Sequence, residues 1–234
     1  MKKEVIIIII ALVLIGGFLF LNRVKIKNQT QGPAPTATVE EQVSPSVQSA
    51  ATAQPSPTLT SGLPPLGSEA APVKIVEYGD YQCPFCRKLF METELRLRED
   101  FVNKGLAVFY WKDFAFLGQE SIWTAVAARC ANEQGRFWDY HDLLFQRQGP
   151  ENAGVFSKDN LKKLAASLNL DATAFNSCLD QEKYKDLVLK DTAEGQQAGV
   201  RGTPFLLIGD KKAEGAYPYE AIKAMVEEEL KTQN

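Results

Sequence analysis

Apolar and polar positions divide the chain into three unlike stretches. Val5 to Leu21 carries no charge, with Lys2 and Lys3 ahead of it and Arg23, Lys25 and Lys27 behind. At 1.5 Å per residue that run reaches roughly 25 Å, enough for a membrane helix whose flanking cations snorkel. No small-x-small cleavage site closes it, so residues 1–27 are expected to form an uncleaved anchor rather than a removed signal. Basic residues on both sides leave its orientation open. Residues 28–66 are then rich in Pro, Ser, Thr, Ala and Gln and poor in bulky side chains, and they cannot bury enough apolar surface to offset chain entropy. They read as a disordered linker with a reach of roughly 35 Å.

From residue 67 to 234 the pattern becomes that of a globular domain. Val73 to Tyr78 is β-branched and apolar between Pro72 and Gly79 and predicts a strand. Cys86, Leu89, Phe90, Leu97 and Phe101 then recur at helical spacing, in a helix that starts after Cys83 and ends near Gly105. Leu106 to Phe116 predicts a second strand. Five helices follow, over 120–131, 135–146, 157–168, 171–179 and 184–198, with Ser157 and Asp171 as candidate N-caps. Gly202 to Ile208 predicts a third strand, Gly209-Asp210 a hairpin turn, Lys212 to Ala216 a fourth strand, and Pro218 the start of a last helix. The order is that of a mixed α/β sheet covered by helices, with an all-helical insertion at about 117–199.

Composition narrows the function classes. With 26 Lys and Arg against 29 Asp and Glu, the chain has no basic excess with which to bind nucleic acid. Two of its 4 cysteines stand in Tyr81-Gln82-Cys83-Pro84-Phe85-Cys86. Pro84 fits the first helical position, which makes Cys83 the N-cap and Cys86 the third helical residue. That spacing lets the pair open and close with little backbone movement. Unpaired helix N–H groups favour a thiolate at Cys83, while Cys86 faces inward with the apolar stripe. A zinc site would need two further ligands from Cys130, Cys178 and His141, and no second knuckle spacing exists, so no metal is expected. A purely structural bond over so short a loop would constrain the unfolded chain little. Redox exchange is the reading that remains. Cys130 and Cys178 extend apolar helix faces and fit either two buried thiols or a pair. Asp80 reads as a solvated turn residue, and His141, on an insertion helix, as structural.

Glu77-Tyr78-Gly79-Asp80-Tyr81-Gln82-Cys83-Pro84-Phe85-Cys86, then Val200-Arg201-Gly202-Thr203-Pro204-Phe205, resemble the DsbA-like family of thioredoxin-fold thiol:disulfide oxidoreductases. The segment Ala128 to Asp142 resembles that family's helical insertion, and together these motifs cover about Pro64 to Leu230. The resemblance implies a thioredoxin fold with a helical insertion and catalysis through a Cys83–Cys86 disulfide, with no other cofactor. It implies a cis Pro204 packed against that disulfide, a Thr203 backbone offered to the substrate peptide beside Phe85, and a buried Glu77 moving protons to and from Cys86. It implies a structural Cys130–Cys178 disulfide. The expected partners are exported proteins with free thiols and a membrane reoxidant of the DsbB or VKOR type. A reductase or isomerase of the same fold and a non-catalytic tethered peptide-binding module are the alternatives. An oxidising catalyst with a stapled insertion belongs outside the membrane, so the chain is expected to cross the cell membrane once with its N-terminus in the cytoplasm. Phe85 stands where the best-known family member has histidine, so a strongly oxidising potential does not simply carry over.

Overall fold

The computed structural model describes residues 62–233. The expected anchor, and the linker up to residue 61, lie outside the described residues. Among the described residues, no helix is long and apolar enough to cross a membrane.

Four strands form one sheet in the order β2-β1-β3-β4. β1 (Val73–Gly79) pairs in parallel with β2 (Ala107–Asp113), and antiparallel with β3 (Phe205–Ile208), which pairs antiparallel with β4 (Lys211–Glu214). The β3–β4 turn uses Gly209 at φ 55°, a conformation that suits a residue without Cβ. β3 begins three residues later than the apolar pattern suggests, because Pro204 has no N–H to give to a ladder. Packing against the sheet starts ahead of residue 67: Leu66 exchanges backbone hydrogen bonds with Phe109, and Leu63 is buried.

The first helix, α1, runs over residues 84–102 and is not a uniform α-helix. Pro84–Leu89 and Leu95–Leu97 are α-helical, while Phe90–Glu94 and Arg98–Val102 are π turns, each of which rotates the following side chains relative to an α-helix. Between β2 and β3 lie α2 (Gln119–Asn132), α3 (Phe137–Arg147), α4 (Lys158–Ser167), α5 (Ala172–Asp180) and α6 (Lys185–Gln197), and α7 (Tyr219–Thr232) closes the chain. These bounds agree with the periodicity to within two residues. Asp171 caps α5 by accepting from Ala174 N at 2.7 Å, whereas Ser157 holds the N-cap place of α4 without a side-chain capping bond.

Strand alternation sorts the core. Val73, Ile75, Phe109, Leu206 and Ile208 pack with Leu89, Leu97 and Phe101 of α1 and Ile222 and Val226 of α7. Val76, Tyr78, Val108, Tyr110 and Phe205 cover the opposite face. The insertion helices pack into a third cluster that also takes in Tyr81, Cys83, Cys86, Phe90 and Trp111, and a Cys130–Cys178 disulfide staples α2 to α5 within it. It is bound to the sheet by buried ions: Lys112 Nζ lies 2.8 Å from Asp191 and 2.9 Å from Glu194, and Arg129 bridges Asp191 at 2.6 Å and Asp113 at 2.7 Å. Each charge has a partner, so the cluster fixes the seam between β2, α2 and α6 and leaves no buried ion uncompensated.

Candidate active site

Cys83 is the N-cap of α1, with extended backbone at φ −69° and ψ 119°, and Pro84 follows at the first helical position. Cys83 N donates to Asp80 O at 2.9 Å, which closes the turn ahead of the helix. Both Cys83 and Cys86 are unbonded thiols. Across from them, the Thr203–Pro204 peptide bond is cis, and Cys83 Sγ donates to the Thr203 carbonyl oxygen at 3.3 Å. A groove of about 310 Å³ lined by Arg201, Gly202, Thr203, Pro204, Phe205, Glu214 and Gly215 runs past that carbonyl. Phe85 projects at the helix start, 61% exposed. Thus residues separated by over a hundred positions in sequence meet around one sulfur.

The two sulfurs differ as their positions require. The Cys86 thiol beside Cys83 donates to the Cys83 sulfur, and the Cys86 and Phe85 amides at the helix N-terminus also favour the anion. These outweigh partial burial and bring the Cys83 pKa down from 9.0 to about 6. Cys86 is pushed the other way, first by complete burial, then by its bond to Cys83 and by the charges of Glu77 and Cys83. One sulfur is a ready thiolate; its neighbour holds its proton.

Glu77 shares its strand face with Val73 and Ile75, which directs it toward α1, beneath the cysteines. It is 1% exposed, and neither carboxylate oxygen has a hydrogen-bond partner. Burial raises its pKa well above the ordinary value of 4.5, the Glu94 charge adds to the rise, and Arg98 opposes it. Cys130 and Cys178 are bonded to each other rather than to these thiols, within the hydrophobic cluster that also takes in Cys83 and Cys86.

Several supporting residues were not evident from the sequence. Asp80, expected in solvent, is 2% exposed: its carboxylate accepts from Gln82 N at 2.8 Å, Phe116 N at 3.0 Å and Leu117 N at 3.2 Å. An acid two residues ahead of a buried glutamine is a local Asx-turn signal, but the contacts with residues 116 and 117 are long-range. Gln82 donates to Ser121 Oγ at 2.9 Å and accepts from Asn152 N at 2.7 Å. His141 is indeed enclosed, against Trp111, Trp138, Tyr81 and Phe90, and its Nδ1 lies 3.0 Å from Asp142, its own neighbour in the chain. Among the described residues, no group of His, Cys, Asp and Glu is arranged to hold a metal ion.

An arrangement of this kind suits reversible thiol–disulfide exchange, and the comparisons agree. Residues 60–228 match the family model described as Thioredoxin. The "Disulfide bond formation protein D" of Bacillus subtilis is 31% identical over 173 residues, 73% of this chain and 78% of that protein. The crystal structure of oxidised BdbD from Bacillus subtilis superposes with a TM-score of 0.70 at 30% identity, covering 75% of this chain and 96% of that one. Alpha-DsbA1 of Wolbachia pipientis shares the fold, with a TM-score of 0.66 at 18% identity over 73% of this chain and 94% of its own. The chain therefore belongs to the thioredoxin family, as a DsbA-like thiol:disulfide oxidoreductase.

Proposed function

We propose that the protein forms disulfides in exported proteins through Cys83 and Cys86. The reading rests above all on the inequality of the two sulfurs: a thiolate-prone Cys83 beside the Thr203–Pro204 groove and a buried Cys86 that holds its proton. In the oxidised enzyme a substrate thiolate attacks Cys83 Sγ. The Cys83–Cys86 bond breaks, its electron pair leaves on Cys86 Sγ, and that sulfur takes the proton of Glu77. The substrate's second thiolate then attacks the substrate sulfur of the mixed disulfide and releases Cys83 as a thiolate. Two electrons have passed from the substrate dithiol to the cysteine pair, which serves as the electron carrier without a further cofactor. The Thr203 backbone holds the substrate as an extended strand, and Phe85 offers it an apolar contact.

A membrane quinone reductase of the DsbB or VKOR type takes up the two electrons and restores the disulfide. In this reading residues 1–27 anchor the enzyme, with the N-terminus in the cytoplasm and the catalytic domain outside, and the segment from residue 28 up to the buried Leu63 tethers it within reach of that partner. The composition of those segments supports it.

The decisive experiment is Cys86→Ala in whole cells. Without the second thiol a mixed disulfide has no intramolecular escape, so nonreducing gels should show adducts of exported proteins that vanish when Cys83 is also replaced. Absence of Cys83-dependent adducts would remove the main support. Glutathione equilibration then separates the alternatives: an oxidase belongs toward about −120 mV, a reductase toward about −270 mV, and a peptide-binding module would not equilibrate.

A further inference from the structure

The π turn at Phe90–Glu94 ends on an acid in the interior, eight residues after Cys86 on the same helix. Glu94 is buried; its Oε1 accepts from Arg98 Nη2 at 2.5 Å and Nε at 2.9 Å, while its Oε2 has no hydrogen-bond partner. Arg98 also donates from Nη1 to both oxygens of Asp142, each at 2.9 Å, and its Nη2 lies 3.5 Å from His141 Nδ1. Asp142 is the end of this chain nearest water, its side chain 29% exposed. Glu77, by contrast, stands beside the same group of charges with both oxygens unpartnered. One guanidinium therefore has three carboxylates around it and is already hydrogen-bonded to two.

We propose that Glu94 is a positioning residue for proton transfer at Cys86: by engaging Arg98 it denies Glu77 a counter-ion, and Glu77 keeps the proton that the departing Cys86 thiolate needs. Burying a second uncompensated carboxylate beside the Arg98–Glu94–Asp142 group would be costly, and the least expensive place to leave a proton is the acid with no donor aimed at it. The proton given to Cys86 leaves Glu77 as the anion, and uptake of one proton from water, on the Asp142 side, restores it. The inference rests on the proton-donor role assigned to Glu77 under the proposed function.

The charged groups acting on Glu77 come from α1: Glu94, Arg98 and Cys83, with Cys86 feeling Glu77 in return. Its register partners on β2 and β3 are Trp111 and Leu206, which carry no charge. α3 reaches it through Arg98, by way of Asp142 and His141. From the loop before α1, the Tyr81 hydroxyl is buried without a partner, in the field of Glu94 and Asp142. The direction expected when Glu94 is neutralised follows: a like charge is lost and Arg98 is freed, and both changes favour the Glu77 anion.

The test uses full-length protein with Glu94→Gln, and Glu94→Leu as a second variant, which suits the apolar stripe of α1 and leaves Arg98 its pair with Asp142. Infrared difference titration of the Glu77 carboxyl, assigned by its disappearance in Glu77→Gln, should show deprotonation moved down by about one to two pH units. Reduction of the Cys83–Cys86 disulfide by dithiothreitol at pH 7 should slow by about tenfold in the same variants, and adding Glu94→Gln to Glu77→Gln should slow it no further. An unmoved Glu77 titration in the variant that folds would overturn the proposal, as would equal slowing in the Glu77→Gln background. If Glu77→Gln alone leaves the exchange rate unchanged while Glu94→Gln still moves the Glu77 titration, the control of Glu77 by Glu94 stands and the proton-donor role fails.

Discussion

The side-chain amide of Gln148 donates to the Cys83 carbonyl oxygen at 3.0 Å and, from the same nitrogen, to the Tyr81 carbonyl oxygen at 2.7 Å. Gln148 is the C-cap of α3, so this contact clamps the end of an insertion helix onto the loop that presents the reactive sulfur. Cys83 O keeps a second donor in Arg87 N at 3.2 Å, but Tyr81 O would be left buried. Gln148→Leu is expected to lower stability by about 1–3 kcal/mol, read as a reduced urea midpoint at unchanged slope. It should also raise the pH midpoint of Cys83 alkylation, because the sulfur loses its fixed place against the helix N-terminus.

The Cys130–Cys178 bond closes a loop with a sequence separation of 48. Loop-closure entropy puts its contribution at about 4 kcal/mol. Replacing both cysteines by alanine should lower the unfolding free energy by up to that amount without moving the Cys83 titration, since neither sulfur is among the groups that act on the Cys83 thiol. In the native enzyme, label added at a mild glutathione poise should reach Cys83 first. Mass mapping that finds Cys130 and Cys178 alkylated as readily as Cys83 would show that this bond is not a lasting structural one.

Period and punctuation were enough for most of the fold. Helix faces, Pro84 at a helix start and Gly209 in a turn are local signals, and local signals survive folding when tertiary packing agrees with them. The sulfur pair was legible for the same reason. Glu77 could have been placed by alternation alone, because it falls on the same strand face as Val73 and Ile75. Glu94 gave a comparable clue, a charge in the gap between Phe90 and Leu97 on an otherwise apolar stripe, and its i,i+4 spacing to Arg98 is that of a local helix pair, but the π turns on either side of Leu95–Leu97 are announced by no periodicity. Apart from the local bond between Asp80 and Gln82, the side-chain contacts of Asp80, Gln82 and Gln148 were illegible because those partners lie at least 36 residues away in loops or on other elements.

The opposed titrations of Glu77 and Cys83 give a signed pH dependence. A thiol depressed from 9.0 to about 6 stabilises the reduced fold fully above pH 9, progressively less as pH falls, and not at all below about pH 6. Glu77, raised in the fold, favours the native state below its unfolded value of 4.5, and that benefit is lost as pH rises through its folded pKa. Two outcomes follow. Denaturant melts of reduced and oxidised enzyme should diverge in favour of the reduced form between pH 6 and 9, and Glu77→Gln should be more stable than wild type at pH 7. Iodoacetamide labelling should show a Cys83 midpoint near 6; a midpoint near 9 would mean that the helix N-terminus and Cys86 do not stabilise the thiolate.

Phe85 occupies the second position of α1 and is largely in solvent, so a substitution there leaves the core untouched. It supplies no charge to Cys83, whose thiolate is favoured by the Cys86 thiol and the helix amides. Phe85→His should therefore add a stabilising cation and raise the reduction potential. A more stable thiolate stabilises the reduced form and makes the disulfide a stronger oxidant. Each pKa unit removed from Cys83 corresponds to about 1.4 kcal/mol, or about 30 mV for two electrons, provided the pH lies above the thiol pKa. An imidazolium contributing one or two units would move the couple up by roughly 30 to 60 mV. Two factors limit the gain and act at opposite ends of the range. Near pH 6 wild-type Cys83 is only half ionised, and above about pH 6.5 the imidazole loses its charge. Glutathione equilibration of both proteins at pH 6 and pH 7 should show the higher potential for the histidine variant at each pH. An unchanged or lower value at both would mean that residue 85 does not set the redox poise, and that the Cys86 thiol and the helix amides alone do.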